Sequence, residues 1–181
     1  MRNKIQNAVL VFVSFSIFSL SCQKQLGQKQ LDQKQQEAEV SSVANNAKAE
    51  NPPFNLEVIL RGDGNRFGLV KFRQDNDPAK IITLDTWIRD LEPNHNYLLQ
   101  RAVDPINVVD GNCTSTNWLT LGKGLTAQSI LTDANGTGRE ELWRNISTVP
   151  TGSEFDIHFQ VVDAVNGDVV LTSDCYQYIA R

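Results

Sequence analysis

Imidazole is scarce in this chain: its 181 residues include two histidines, His95 and His158. A redox copper centre draws on several imidazoles in one shell, so that chemistry lacks a ligand set, and no metal or cofactor is expected. Basic residues are also thin where a folded domain would lie. From Phe54 onward, 11 Lys and Arg stand against 17 Asp and Glu, a balance of about −6. Without a basic stripe the phosphate contacts that dominate nucleic-acid binding have no donors, and nucleic acid is excluded as a partner. No Ser sits in a Gly-x-Ser-x-Gly or comparable nucleophile motif, and no paired-carboxylate site can be singled out among the acids, so no catalytic residue is assigned. Asp133, Asn135, Thr137 and Glu140 offer neighbouring oxygens but lack the loop length and terminal bidentate Glu of a calcium loop. They read as hairpin-turn chemistry. The longest apolar stretch, Ala8 to Leu20, has about 13 residues, short of the roughly 20 needed to span a bilayer core.

That stretch follows Arg2 and Lys4 and ends at Ser19-Leu20-Ser21-Cys22. A positive start, a short apolar run and small residues make a signal peptide over 1–21. The small residues before Cys22 resemble the lipobox of bacterial lipoproteins, with Ser19 where Leu is commonest. The resemblance implies that Cys22 receives a diacylglyceryl group and becomes the mature amino terminus. It also implies a place in the bacterial cell envelope, anchored to a membrane by lipid, the outer membrane in preference to the inner. Two or more acyl chains hold a protein stably where one does not. An ordinary cleaved signal and an uncleaved anchor are the alternatives.

Residues 22–53 contain Gln-Lys-Gln-Leu-Gly, Gln-Lys-Gln-Leu-Asp and Gln-Lys-Gln-Gln-Glu in succession over Gln23 to Glu37. This five-residue period matches no helical face, so Leu26 and Leu31 do not stack. With no aromatic residue and little apolar surface, the segment reads as a disordered, flexible tether. A helix from Gln33 to Lys48 is the alternative. Pro52-Pro53 marks its end.

From residue 54 to 181 the period becomes two. Leu56, Val58 and Leu60 share one side, as do Val70 and Phe72, then Ile82, Leu84, Thr86 and Ile88, then Ile157, Phe159 and Val161, then Val169 and Leu171. Turn signals separate the runs: Gly62 to Asn65, Asp75 to Pro78, Pro93-Asn94, Asp133 to Gly136 and Asn166-Gly167. The expectation is an all-β, Greek-key, immunoglobulin-like sandwich of eight or nine antiparallel strands. Leu84, Trp87, Ile88 and Leu91 also fit a helical stripe, but the flanking Ile81, Ile82 and Thr83 favour a strand. Leu91-x-Pro93-x-x-x-Tyr97 resembles the tyrosine corner of fibronectin type III and immunoglobulin-like domains, which implies a hydroxyl bonded to the chain just upstream.

Export allows a disulfide. Cys113 and Cys175 are the two cysteines of the domain, and buried free thiols are the alternative to their pairing. From Leu91 onward the order of features resembles the copper/zinc superoxide dismutase sandwich. The resemblance rests on Leu91-Glu-Pro93, Cys113-Thr-Ser115, Asp133-Ala-Asn-Gly136, the apolar run Phe155 to Val162, and Cys175. It implies one disulfide and a Greek-key sandwich, but not the activity. The strand after Pro93 reads Tyr97-Leu-Leu-Gln-Arg101 where that family keeps His-x-His, and no His follows Cys113 closely. His158 alternates with the apolar set and is expected on a solvated face.

The functional expectation is a non-catalytic binding module with an envelope protein or extracellular ligand as partner. A carboxylate hydrolase and a structural spacer are the alternatives. The expected surface is the long connection around Asp104, Asp110, Asn112 and Trp118, because long fixed loops on rigid scaffolds are common binding sites. Trp87, Trp118 and Trp143 read either as a ligand platform or as core filling.

Overall fold

The computed structural model describes residues 52–181. The expected signal peptide, Cys22, the pentapeptide repeat and the alternative helix lie outside the described residues. The chain forms β1 (Phe54–Arg61), β2 (Phe67–Gln74), β3 (Ile81–Arg89), β4 (Asn96–Val103), β5 (Leu119–Thr120), β6 (Gly122–Lys123), β7 (Thr126–Ala127), β8 (Ser129–Leu131), β9 (Gly138–Asn145), β10 (Glu154–Asp163), β11 (Val169–Ser173) and β12 (Tyr176–Ile179). The described residues are all-β, as their period of two predicts. The helical stripe resolves as strand β3. Leu84 and Ile88 are buried, while Trp87 lies on the other face against Phe67, ring centroids 6.0 Å apart.

The sequence predicts two stacked sheets. The backbone instead runs as one continuous twelve-stranded sheet curled into a nearly closed barrel. The reason is pairing at both seams where two sheets would part. On one side β11 bonds β10 and also β1, through Leu60↔Ser173 and Arg61↔Thr172. On the other side β8 pairs with β4, and the bridge Thr132↔Gly138 carries β8 onto the start of β9. Following backbone pairings gives the ring β1-β2-β3-β9-β8-β4-β10-β11 and back to β1. Closure leaves few unpaired edges, which is how barrels avoid edge-to-edge association.

The β3–β4 corner is tied across this seam. Thr132 is 1% exposed. Its hydroxyl donates to the Glu92 carbonyl at 2.6 Å and accepts from the His95 amide at 3.0 Å. The Leu91 amide donates to the Gly136 carbonyl, and the Asn94 amide to the Asp133 carbonyl. Tyr97 is buried, and its hydroxyl accepts from the Glu92 amide at 3.0 Å, the bond the corner motif implies. Asp133 Oδ1 accepts from the Asn135 and Thr137 amides, which is the hairpin-turn role.

The interior is filled by the alternating positions read from the sequence. Val58, Leu60, Val70, Leu99, Ile130, Leu142 and Val161 have no exposed surface, and Phe72, Phe159 and Tyr178 are nearly as enclosed. The C-terminal residues are clasped by Gln74. Its Oε1 accepts from the Tyr178 hydroxyl and the Arg181 amide, and its Nε2 donates to the Arg181 carbonyl. This satisfies a fully buried amide.

Two substitutions test the seam. Gly136 has φ +73°, and a Cβ there would stand 2.1 Å from the Leu91 carbonyl oxygen. Gly136→Ala is expected to cost about 2–3 kcal/mol in urea unfolding. Tyr97→Phe orphans the Glu92 amide and is expected to cost about 1–2 kcal/mol by the same measurement.

Candidate functional site

The segment 104–118, between β4 and β5, is fastened over the outer face of β10. Cys113 and Cys175 form a disulfide with Cα atoms 5.4 Å apart. Cys175 lies in the two-residue break between β11 and β12, just before the final strand. Two carboxylates tie the rest. Asp104, 7% exposed, accepts from the Thr114 amide at 2.9 Å, the Thr114 hydroxyl at 3.2 Å and the Ser115 amide at 2.6 Å. The Thr114 amide, with the Ser115 amide behind it, holds the Asp104 carboxyl below the usual carboxylate range against the opposing effect of burial. Asp156, 0% exposed on β10, accepts from the Asp110 and Gly111 amides, each at 2.9 Å. Asn107, at φ 60°, completes the seam. Its amide donates to the Glu154 carbonyl, and its side-chain oxygen accepts from the Glu154 amide.

This cover changes what the outer face of β10 is. The sequence places His158 on a solvated face, but the structure half-buries it. The His158 ring lies 4.6 Å from the Trp118 ring, and its Nε2 stands 2.9 Å from the Ser115 carbonyl. Beside it Gln160 donates to Gln100 at 2.7 Å, and Gln100 donates to the Thr120 hydroxyl. The four loop residues expected at a binding surface therefore separate. Asp104 is turned inward as a fastening and Trp118 is half-buried against His158, whereas Asp110 and Asn112 are exposed. The exposed apolar groups on the same segment are Ile106 and Val108, which no sequence pattern marks out. Trp87, Trp118 and Trp143 all stand outside the fully buried core.

A second feature lies inside the barrel, near the C-terminal ends of β4 and β9. A cavity of about 180 Å³ is floored by buried Phe72, Ile82, Leu84 and Tyr178, and half-buried Arg101 and Arg144 stand in its wall. Both arginines occupy inward positions, Arg101 two residues beyond Leu99 and Arg144 two beyond Leu142. Among the described residues neither forms an ion pair. Burial, reinforced by the positive charge of Arg144, holds the Arg101 guanidinium below its ordinary value. Sequence offered one signal for this pair: a charge at an inward-facing register position.

At the β3–β4 corner, His95 Nε2 lies 2.9 Å from Asp163 Oδ2, and its Nδ1 lies 3.9 Å from Glu92 Oε2. The Nε2 contact is close but off the line of a hydrogen bond. Asp163, assisted by Glu92, nevertheless raises the His95 ring above its ordinary value against the opposing effect of desolvation. The two carboxylates address opposite ring nitrogens. With His95 protonated the arrangement ties the corner to the end of β10 by charge, and Asp163 Oδ1 also accepts from the Val165 and Asn166 amides.

Two measurements test the fastening. Cys113→Ser with Cys175→Ser opens a 62-residue separation and is expected to lower unfolding free energy by about 4 kcal/mol in the chain-entropy treatment. A lowered Asp104 pKa stabilises the fold above the unfolded value, about 3.9, and that contribution disappears as pH falls through the lower folded value. Hydrogen exchange at the Thr114 and Ser115 amides is therefore expected to quicken, relative to the intrinsic rate, as pH drops below about 4. Asp104→Asn is expected to show fast exchange at every pH. Compared with protein-family models, with curated proteins and with solved structures, the chain matches none.

Proposed function

We propose that this chain is a lipoprotein of the bacterial cell envelope, anchored through Cys22 to the outer membrane. In this reading its domain is a non-catalytic binding module for an envelope protein or an extracellular ligand. The observation that carries the binding reading is a rigid apolar surface. Ile106 and Val108 stand 46% and 55% exposed on a segment fixed by a disulfide and two carboxylates. Apolar side chains on a pre-ordered loop lose little freedom on association, and the exposed Asp110 and Asn112 supply a polar edge beside them.

The engagement of the carboxylates supports the non-catalytic side of the proposal. Asp104, Asp133 and Asp156 each accept backbone amides. Asp85 is paired with Arg139, Glu140 with Lys123, and Asp163 with His95. A carboxylate hydrolase needs such groups free and converging on a cleft. The same reading takes the barrel as a Greek-key relative of the superoxide dismutase sandwich without its metal ligands. The ring order and the Cys113–Cys175 bond support it. Leu99 and Arg101 supply no imidazole on the strand after Pro93.

Mass spectrometry of the mature protein is expected to find an acylated Cys22 at the amino terminus. An intact Met1 or an unmodified terminus overturns the anchoring. Affinity capture from membranes with the native chain is expected to recover partners that a variant carrying Ile106→Asp and Val108→Asp does not. That variant leaves Asp104, Asp156 and the disulfide in place, so its melting temperature should stay within a few degrees of native. Identical partner sets from the two proteins would remove this surface from the proposal.

A further inference from the structure

Strand parity puts Arg101 and Arg144 on the core side of two strands, where the period of two otherwise places Leu99, Val103, Leu142 and Ile146. Two half-buried like charges at the open, apolar end of a barrel disfavour each other and lose part of their hydration. An anion placed between such groups offsets both costs. Among the described residues no carboxylate pairs either one, the Arg101 guanidinium makes no hydrogen bond, and the Arg144 guanidinium makes a single long one to the Gly124 carbonyl at 3.5 Å. The floor beneath them is Phe72, Ile82, Leu84 and Tyr178, all buried, so the cavity grades from apolar to cationic.

We infer that this cavity is a binding site for a small organic carboxylate, its apolar body on the Phe72–Leu84 floor and its carboxylate between Arg101 and Arg144. Charge sets the head group. A carboxylate takes paired N–H donors from guanidinium in a planar, bidentate geometry, whereas a neutral or cationic head leaves two positive charges uncompensated. Volume sets the body. About 180 Å³ is close to the roughly 150 Å³ of an engineered apolar cavity that takes up benzene. The body therefore has about six to eight carbon atoms, and a full-length acyl chain exceeds the space. The site is separate from the exposed segment around Ile106 and Val108 and goes beyond the partner-binding role proposed for it.

The experiment is calorimetric titration of the full-length purified chain in zwitterionic nanodiscs, with empty nanodiscs as the blank. The probes are benzoate, benzyl alcohol, benzylamine and acetate. Benzoate is expected to bind one per chain, at least tenfold tighter than the alcohol or acetate, with no heat from the amine. Arg101→Gln and Arg144→Gln are each expected to weaken benzoate by about ten- to a hundredfold. Val149→Phe, which fills the rim without touching the charges, is expected to abolish uptake at unchanged strand content. The Ile106→Asp, Val108→Asp variant should bind benzoate as the native chain does, so failure here is distinguishable from failure of the partner surface. Equal affinity for benzoate and benzyl alcohol, or arginine variants that bind as well as native, would overturn the inference. So would absence of benzoate heat, including the case where light scattering shows a second copy of the chain closing the cavity mouth.

Discussion

The closure of the barrel at Thr132 is the constraint on which the rest of the structure depends. One buried hydroxyl both donates to Glu92 and accepts from His95, while the backbone of the same residue bonds His95 and bridges Gly138. A single residue thereby joins the β3–β4 corner, the β8 strand and the start of β9. Without that junction the sheet would stay open, with β4 and β9 toward its two ends and much of each facing strand edge left with unpaired amides and carbonyls. With it, β4 is fixed beside β10 on one side and reaches β9 through β8 on the other. The inward residues of both then face one common interior.

Fixing β4 also fixes the segment 104–118. The chain leaves β4 at Val103 and lies at once over β10, because Asp104 and Asp156 supply oxygens that backbone amides in the next dozen residues can reach. The disulfide adds a covalent pin at Cys113, beside the break in the last two strands. These fastenings convert a long connection into a second layer on one side of the barrel. They account for a feature that alternation alone does not allow: β10 is buried on both faces, with Asp156 and Gln160 enclosed as well as Phe159 and Val161. A layer held this way presents its outward residues without having to order them on binding. That is the physical basis for reading Ile106 and Val108 as a contact surface.

The barrel's interior is not equally filled along its length. Near the seam it is packed by Ile88, Tyr97 and Ile130. Toward the other end, short strands β5 to β7 replace a full-length neighbour for β4 and β9, and the space between these two strands is partly open. Arginine is well suited to such a place, since its stem packs against apolar walls while its head reaches toward solvent. Two arginines there without acids make the open end a cationic recess in a domain whose overall charge is acidic. The local field and the net charge thus have opposite signs, and only the local one bears on a ligand held at that depth.

The period of two and the turn residues are local quantities, and they determined the all-β class and the core positions, while the corner hydroxyl bond and the pairing of two cysteines were expected from short motifs and their resemblance to known sandwiches. Each depends on neighbours in sequence or on composition, so each is legible without coordinates. Where the sheet closes, which face of His158 is covered, and that Asp104 points inward while Asp110 does not, were decided by the tertiary structure. Those outcomes depend on which strands become neighbours across the ring and on which amides come within reach of a carboxylate. Arg101 and Arg144 are 43 positions apart in sequence, and their meeting at one cavity comes from the barrel's curvature alone. Alternation could mark each as inward-facing. It could not say that they line one cavity, because a strand's own pattern carries no information about what stands opposite.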